Sequence, residues 1–245
     1  MKIASKVSLL TLCFLCFNCK TQSGLIIKVK NTLDLNRSFE TVEINISDIT
    51  LTEGQSIDNI AVVDIQNNNL LVTQLVDSNQ DGTPDVLLFQ PKIQANKEKK
   101  YKVIQVDSVT KHKTINYCYS RFVPERTDDY AWENNKVAFR TYGPTAQKMV
   151  ENGIKGGTLS SGIDAWLKRV DYPIINKWYK KFLKDKNAYH IDTGEGLDNF
   201  HVGVSRGVGG IAYKKDSTFY ISKNFINYKT LTNGPLRTSF ILDYN

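Results

Sequence analysis

The chain has 245 residues, of which 41% are hydrophobic and 23% charged, an ordinary composition for a globular protein that buries a core. Its formal net charge is +7, but Lys2 and Lys6 lie in an N-terminal leader, so the remainder carries 7 − 2 = +5. That charge is spread without the clustered lysines and arginines that indicate a nucleic-acid partner, and a mild positive balance suits an anionic substrate.

The first residues have the pattern of an export signal. Two lysines precede an apolar run at residues 7–17, which is too short to span a membrane. The run ends beside Cys19, which predicts a lipoprotein signal peptide at residues 1–18 and acylation of Cys19; a plain secretory signal cleaved nearby is the alternative. We therefore expect an exported protein, held by its lipid anchor in the periplasm or at the outer membrane and cell surface. Outside the leader only Cys118 remains, so no disulfide framework is expected.

Residues 19–115 are predicted to form a small antiparallel β-sandwich domain. Short apolar or alternating segments recur at hairpin spacing, at residues 25–30, 41–46, 60–65, 70–76, 86–89 and 101–106. Residues 97–100 are interpreted as a solvated loop. The loop at residues 77–85 begins like a calcium-binding loop, but Leu88 stands where the bidentate glutamate is expected. An Asp-Gly turn between two strands is therefore favoured over a calcium site.

Residues 116–245 are predicted to form a second, larger β domain with one or two short helices. Residues 131–142 have the pattern of one strand, and residues 145–151 that of a short helix. Residues 173–184 begin with proline and carry apolar side chains at helical spacing, which predicts a second helix. Further strands are expected at residues 210–213, 218–222, 225–229 and 236–244. The predicted fold class is therefore mainly β.

Two groupings of polar and aromatic residues are candidates for part of a ligand site. Between residues 121 and 140, arginines offer bidentate donors for carboxylate or sulfate, and Trp132 offers a ring that can stack on a sugar. Surface ion pairs on a strand explain many of the same residues. Residues 160–166 could form a loop lining a cleft, or could simply supply a packed Trp166 and a capping aspartate.

Residues 190–210 form the strongest grouping, with two of the three histidines, three carboxylates, an arginine and six glycines. Glycines allow close backbone approach, so the polar groups between them can converge on a ligand. Metal ligation by His190 and His201 is conceivable, but their spacing matches no compact ligand pattern, so neither a metal nor a cofactor is expected. General acid–base chemistry fits better, because histidine titrates near neutrality and a neighbouring carboxylate fixes its tautomer. A purely structural histidine is the alternative for each.

Several segments together resemble one known family. The motifs on which this resemblance rests are residues 119–133, Ala-Phe-Arg-Thr-Tyr-Gly-Pro at 138–144, Gly-Ile-Asp-Ala-Trp at 162–166, Gly-Glu-Gly-Leu-Asp at 194–198 and Asn-Gly-Pro-Leu-Arg at 233–237. The family consists of exported proteins from polysaccharide-utilisation loci of marine and gut bacteria, long catalogued as a domain of unknown function. One member is an oligosaccharide dehydratase in the degradation of ulvan, the sulfated algal polysaccharide. The resemblance covers roughly residues 25–245 and implies a small β-domain followed by a mutarotase-like β-sandwich. Members of the family are longer, so a member truncated at its C-terminus is expected.

The resemblance implies that a non-reducing-end uronic acid loses water across C4 and C5, giving a 4,5-unsaturated uronate. The C5 proton lies α to a carboxylate, so the enzyme must neutralise that carboxylate, remove the proton with a base and protonate the departing C4 hydroxyl with an acid. Side-chain chemistry makes His201 and Tyr142 the candidate pair, with His190 in reserve and Asp198 or Glu195 to orient the histidine.

The expected site therefore has two sets of residues. The expected catalytic residues are His201, Tyr142, Arg206 and Asp198. The expected substrate-binding residues are Arg121, Arg126, Trp132, Glu133, Arg140, Trp166, His190 and Glu195. A polysaccharide lyase or other sugar-acid enzyme on the same scaffold is one alternative, since a fold does not fix its chemistry. A non-catalytic carbohydrate-binding lipoprotein is another.

Overall fold

A computed structural model describes residues 24–107, 110 and 114–245. The predicted signal peptide and Cys19 lie outside these residues. The described chain contains sixteen strands and two α-helices, so the prediction of a mainly β fold is confirmed. Each of the two helices has eight residues, and neither has the length or apolar composition that crossing a membrane requires.

The first seven strands form two antiparallel sheets. They are β1 (Ile26–Lys30), β2 (Val42–Asn45), β3 (Ile60–Asp64), β4 (Leu70–Leu71), β5 (Thr73–Val76), β6 (Val86–Phe89) and β7 (Glu98–Gln105). One sheet has the order β1-β7-β3-β4 and the other the order β2-β6-β5. A shared core includes Val62, Tyr101 and Val103 from the first sheet and Leu87 and Phe89 from the second. Two sheets that bury side chains against one another form a small β-sandwich.

Two sequence expectations in this sandwich were wrong. Residues 98–100 belong to β7 and pair with β1, with Glu98 opposite Lys30, because partnership with another strand outweighs the preference of charged residues for loops. The segment 70–76 is interrupted at Val72, so β4 and β5 join different sheets.

The loop at residues 77–85 is held by its own carboxylates, since Asp77 accepts hydrogen bonds from backbone N–H groups within the loop.

The remaining elements begin at residue 119. They are β8 (Tyr119–Val123), β9 (Asp129–Glu133), β10 (Val137–Thr141), α1 (Pro144–Glu151), β11 (Asp164–Lys168), α2 (Ile175–Phe182), β12 (Gly196–Asp198), β13 (Ala212–Lys215), β14 (Thr218–Ile221), β15 (Asn227–Thr232) and β16 (Ser239–Asp243). Strands β8 to β12 form one antiparallel sheet in the order β12-β11-β10-β9-β8. The pairs β13–β14 and β15–β16 are hairpins. Both predicted helices are present, within one or two residues of their expected bounds.

The prediction of one strand over residues 131–142 was wrong. The side chain of Asn134 accepts hydrogen bonds from the N–H groups of Lys136 and Val137, which turns the chain and produces the β9–β10 hairpin. Part of the expected loop at residues 160–166 is strand β11, and residues 196–198 form edge strand β12. These missed strands matter because they carry two of the buried carboxylates described below.

The five-stranded sheet is covered differently on its two faces. On one face, α2 packs Trp178 and Tyr179 against Trp166 of β11. On the other face the β15–β16 hairpin contributes Tyr228, which stacks on Phe122 with ring centroids 4.4 Å apart. Because side chains alternate along each strand, the helix-covered face holds the groups that build the site. The mutarotase-like assignment and a domain boundary after residue 115 stay predictions.

Candidate functional site

Arg140 lies at the centre of a buried group of charges on the helix-covered face. Strand register places Arg140 of β10 opposite Asp164 of β11, and Asp198 of β12 opposite Trp166. The Arg140 Nε lies 2.7 Å from Asp164 Oδ2, and Nη2 lies 3.0 Å from Asp198 Oδ2. Its Nη1 donates to the hydroxyl of Tyr189 at 3.0 Å. With 4% of its surface exposed, Arg140 is an enclosed cation held by two carboxyl groups.

A second guanidinium and a third carboxylate extend this group towards the surface. Arg126 Nη1 lies 2.8 Å from Asp129 Oδ1, and Arg140 Nη1 lies 3.6 Å from Asp129 Oδ2. The hydroxyl of Tyr179 donates to Asp129 at 2.9 Å. Burial raises the pKa of Asp129 even though both arginines oppose that shift. We call Arg126, Asp129, Arg140, Asp164 and Asp198 the Arg140 cluster.

Aromatic rings enclose the Arg140 cluster. The Arg140 guanidinium lies over the rings of Tyr189 at 4.9 Å, Trp166 at 5.2 Å and Tyr142 at 5.7 Å. Arg126 lies 5.5 Å from the same Tyr142 ring. Burial raises the pKa of the Tyr142 phenol, so this side chain is a neutral hydrogen-bond donor at any physiological pH. The rings exclude water, which strengthens the electrostatic interactions inside the cluster.

Asp198 titrates near neutrality because of this environment. Burial raises its pKa to about 7, a neighbouring Asp164 carboxyl adds to the rise, and Arg140 opposes it. The cluster has three carboxyl groups and two guanidinium groups, so one proton on Asp198 balances its formal charge. Burial beside another carboxyl group is a recurrent way of holding an acid protonated near neutral pH.

His190 connects Asp198 with solvent. Its Nδ1 lies 3.2 Å from the backbone oxygen of Asp198 and 3.6 Å from the Asp198 Oδ2, while 47% of its side chain is exposed. A backbone hydrogen bond from the Asp198 N–H to the Tyr189 oxygen, 2.7 Å long, fixes the two segments together. The backbone oxygen of Asp198 orients the imidazole and the carboxyl group of the same residue lies beside it, an arrangement suited to proton transfer.

Two predicted substrate-binding residues lie away from the cluster. The Glu133 carboxylate is buried against Lys168 Nζ at 2.7 Å and accepts hydrogen bonds from the N–H groups of Ile174 and Ile175, where α2 begins. These contacts hold α2 on the sheet. Trp132 lies on the opposite face of the sheet, where its ring packs 5.1 Å from that of Phe240.

Glu195 and Arg121 are engaged in ion pairs at the edge of α2. Although burial opposes the change, hydrogen bonds from Lys177, Tyr172 and Lys181 lower the pKa of Glu195 to about 2. Arg121 pairs with Glu125. Glu195 is therefore bound to lysines rather than placed beside a histidine.

The loop at residues 201–210 packs beside the start of β11. Hydrogen bonds join Ile163 to Gly209 and Val208 at 2.8 and 2.9 Å. Arg206 has its Nε buried without a hydrogen-bond partner and, within the described ranges, no ion pair. His201 is exposed, and its ring makes no hydrogen bond or ion pair with any described residue. The carboxyl group of Asp198, which was expected to orient His201, therefore lies beside His190 instead.

Of the twelve predicted residues, the structure brings six together, namely Arg126, Arg140, Tyr142, Trp166, His190 and Asp198. Sequence reasoning missed Asp129, Asp164, Tyr179 and Tyr189. Asp164 stands two residues before Trp166, so the two share a face once residues 164–168 are known to form a strand. Among the residues that the structure describes, no group of three or more His, Cys, Asp or Glu side chains is placed to hold a metal.

Comparison with known proteins supplies the family. Residues 29–245 match the family model described as "Domain of unknown function (DUF4861)". The chain is similar to "Uncharacterized protein P7" of Formosa agariphila, with 62% identity over 219 residues. That match covers 89% of this chain and 55% of the relative, so the chain spans about half of the relative's length. No solved structure matches. Because the family model covers most of the sequence, the chain belongs to the DUF4861 family.

Proposed function

We propose that this protein is a carbohydrate dehydratase that removes water from the non-reducing-end uronic acid of ulvan oligosaccharides. The observation that carries the proposal is the contact between Asp198, a carboxyl group that titrates near neutrality and is held by the buried Arg140, and the half-exposed ring of His190. The sequence resemblance described above supplies the substrate class. The predicted lipoprotein leader at residues 1–18 and Cys19 would hold the enzyme at the membrane of the exporting cell.

The reaction is an elimination with a simple balance. The C5–H and C4–O bonds break, a C4=C5 double bond forms, and the C4 hydroxyl leaves with one proton as water. The carboxylate on C5 makes that proton weakly acidic, and negative charge develops on the carboxylate as the proton departs. A site for this reaction needs a cation at the carboxylate, a base at C5 and an acid at the C4 oxygen.

The Arg140 cluster and its neighbours can meet these needs. Arg126 has 16% of its side chain exposed and is the cluster cation with access to a ligand, whereas Arg140 is enclosed and holds Asp198. His190 keeps Nδ1 against Asp198, which leaves Nε2 to exchange a proton with substrate. Tyr142, a buried neutral phenol packed against Arg126, is the candidate hydrogen-bond donor. A carboxyl group that titrates near pH 7 is matched to proton transfer at neutral pH.

The test is an incubation with saturated, uronate-terminated ulvan oligosaccharides, followed by ultraviolet absorbance of the unsaturated uronate and by product mass. Loss of one water without chain shortening supports dehydration, whereas shortened products indicate a polysaccharide lyase. Binding with no product indicates a carbohydrate-binding lipoprotein.

Histidine variants separate the two candidate bases. His190→Gln is expected to lower kcat by about 10²-fold or more, the usual contribution of a general base. His201→Gln is the matched control and should retain activity, because the ring of His201 is exposed and has no carboxyl partner among the described residues. Loss of turnover in His201→Gln alone would instead move the base to the 201–210 loop.

A further inference from the structure

A groove separates the first sandwich from the turn of the β9–β10 hairpin. Its volume is about 1020 Å³, at the upper end of the range typical of ligand sites. The first sandwich contributes Phe39, Gln90 and Lys92, and the second part of the chain contributes Tyr117, Asn135 and Lys136. We call this cavity the interdomain groove.

The interdomain groove is positively charged. Its lining includes two lysines and, among the described residues, no aspartate or glutamate. Lys92 and Lys136 are exposed, and neither forms an ion pair with another described residue. Two unpaired ammonium groups in a groove without carboxylates favour a ligand that carries sulfate or carboxylate groups.

The remaining lining has the character of a sugar-binding surface. Phe39 is 76% exposed, a high value for a large apolar side chain, and Tyr117 lies in the same groove. Flat rings can pack against the C–H faces of sugars, while the amides of Gln90 and Asn135 offer both donors and acceptors to hydroxyl groups. This mixture of rings, amides and cations suits a sulfated or uronate-containing chain better than an apolar peptide.

The two walls of the interdomain groove are fixed to each other. The buried side chain of Gln74 accepts hydrogen bonds from the N–H groups of Leu236 and Arg237 at 3.0 and 2.9 Å, and donates to the Arg237 oxygen at 3.0 Å. Within the second wall, Cys118 and Gly234 exchange two backbone hydrogen bonds of 3.0 Å. A preformed groove loses less entropy when it binds an extended chain.

We propose that the interdomain groove is a second, non-catalytic subsite that binds an anionic carbohydrate chain. Lys136 precedes Arg140 by four residues, which is about 13 Å along an extended strand, so the groove lies apart from the Arg140 cluster. The carbohydrate nature of the ligand rests on the proposed function, whereas its negative charge rests on the lysines of the groove.

Cys118 provides a reporter inside the interdomain groove. It is a free, half-buried thiol that lines the cavity. Its alkylation rate is measured by peptide mass spectrometry, which separates it from the leader cysteines, with sulfated uronate-containing ulvan oligosaccharides as probe. We expect the probe to slow alkylation several-fold at saturation and to lose this effect at high salt, while a neutral oligosaccharide of equal length has no effect.

Variants distinguish groove binding from a general effect of charge. The double variant Lys92→Ala with Lys136→Ala is expected to raise the half-protecting concentration about tenfold, equivalent to about 1.4 kcal/mol. Lys180→Ala, at an exposed lysine of α2 outside the groove, is the matched control and should leave protection unchanged. Unchanged alkylation with the anionic probe, or equal protection in the double variant, would overturn the proposal.

The proposal of a binding groove and the proposal of a dehydratase can be refuted independently of each other. Asp198→Asn should lower the rate of dehydration strongly and keep the protection of Cys118. Protection of Cys118 without any unsaturated product from the wild-type protein would keep the groove and refute the dehydratase. Dehydration without protection of Cys118 would refute the groove alone.

Discussion

Replacing Asp198 by asparagine should flatten the dependence of stability on pH. Asparagine keeps the shape of the side chain and an oxygen for Arg140, but it cannot ionise. The pKa of Asp198 is raised from 3.8 to about 7 in the folded protein. Its stabilising contribution is therefore complete below about pH 4 and is lost as the pH rises towards 7, because in this range the unfolded chain releases the proton while the folded protein still holds it.

The size of this change in unfolding free energy follows from the pH range between the unfolded and folded pKa values of Asp198. Roughly three pH units separate the two pKa values, and each corresponds to about 1.4 kcal/mol, so the full effect is about 4 kcal/mol. Between pH 5 and pH 8, the wild-type protein should lose about 3 kcal/mol of unfolding free energy relative to Asp198→Asn. Chemical denaturation followed by tryptophan fluorescence measures this difference at each pH.

Asp192 offers a control of opposite sign. Its pKa is lowered, first by the hydrogen bond from Arg169 and then by those from the Gly194 and Gly196 N–H groups. Its contribution is present above the unfolded pKa and is lost only in acid, so Asp192→Asn should shift stability by a constant amount between pH 5 and pH 8. If the curves of wild type and Asp198→Asn stay parallel over this range, Asp198 does not hold the buried proton and its role in the cluster is refuted.

Two further substitutions test the supports of the site. Glu133→Gln should lower the free energy of unfolding by about 3–5 kcal/mol, because it leaves the buried Lys168 ammonium without its carboxylate. Thermal unfolding followed by circular dichroism measures this loss, and an unchanged Tm would contradict it. Gly196→Ala should destabilise β12, since a Cβ there would lie 1.9 Å from the Leu167 oxygen at a φ of 110°. Gly194→Ala shares a positive φ but meets nothing within 4 Å, so equal losses in the two variants would show that backbone strain alone is responsible.

Sequence patterns predicted correctly those elements whose apolar spacing is visible within their own residues. The aromatic residues of α2 recur at helical spacing and indeed face the sheet, with Trp178 and Tyr179 buried. The patterns failed where structure depends on partners far along the chain. Charged residues 98–100 look like a loop but are strand because β1 pairs with them, and the three-residue strand β12 is too short to show any period.

The candidate site was only partly predictable for the same reason. Residue types identified Arg140, Asp198 and His190 as chemically interesting, but only strand register shows that Asp164 and Asp198 flank one guanidinium. The choice of His201 over His190 illustrates the limit, because both lie in one glycine-rich segment and composition cannot decide which ring meets a carboxyl group.

Stability alone is a poor explanation for the Arg140 cluster. Removing five ionisable groups from water costs free energy that their mutual attraction only partly recovers, and well-packed apolar residues often serve a core as well or better. The cluster also keeps a proton on Asp198 that will dissociate near pH 7, in contact with an imidazole that reaches solvent. A core built for stability has no need of such a proton, whereas an elimination that moves one proton from carbon and delivers one to oxygen requires groups of this kind. If the rate of dehydration depends on pH with an apparent pKa near that of Asp198, and the residual activity of Asp198→Asn lacks this dependence, the cluster is part of the reaction. A profile independent of Asp198 would leave it as a structural ion network.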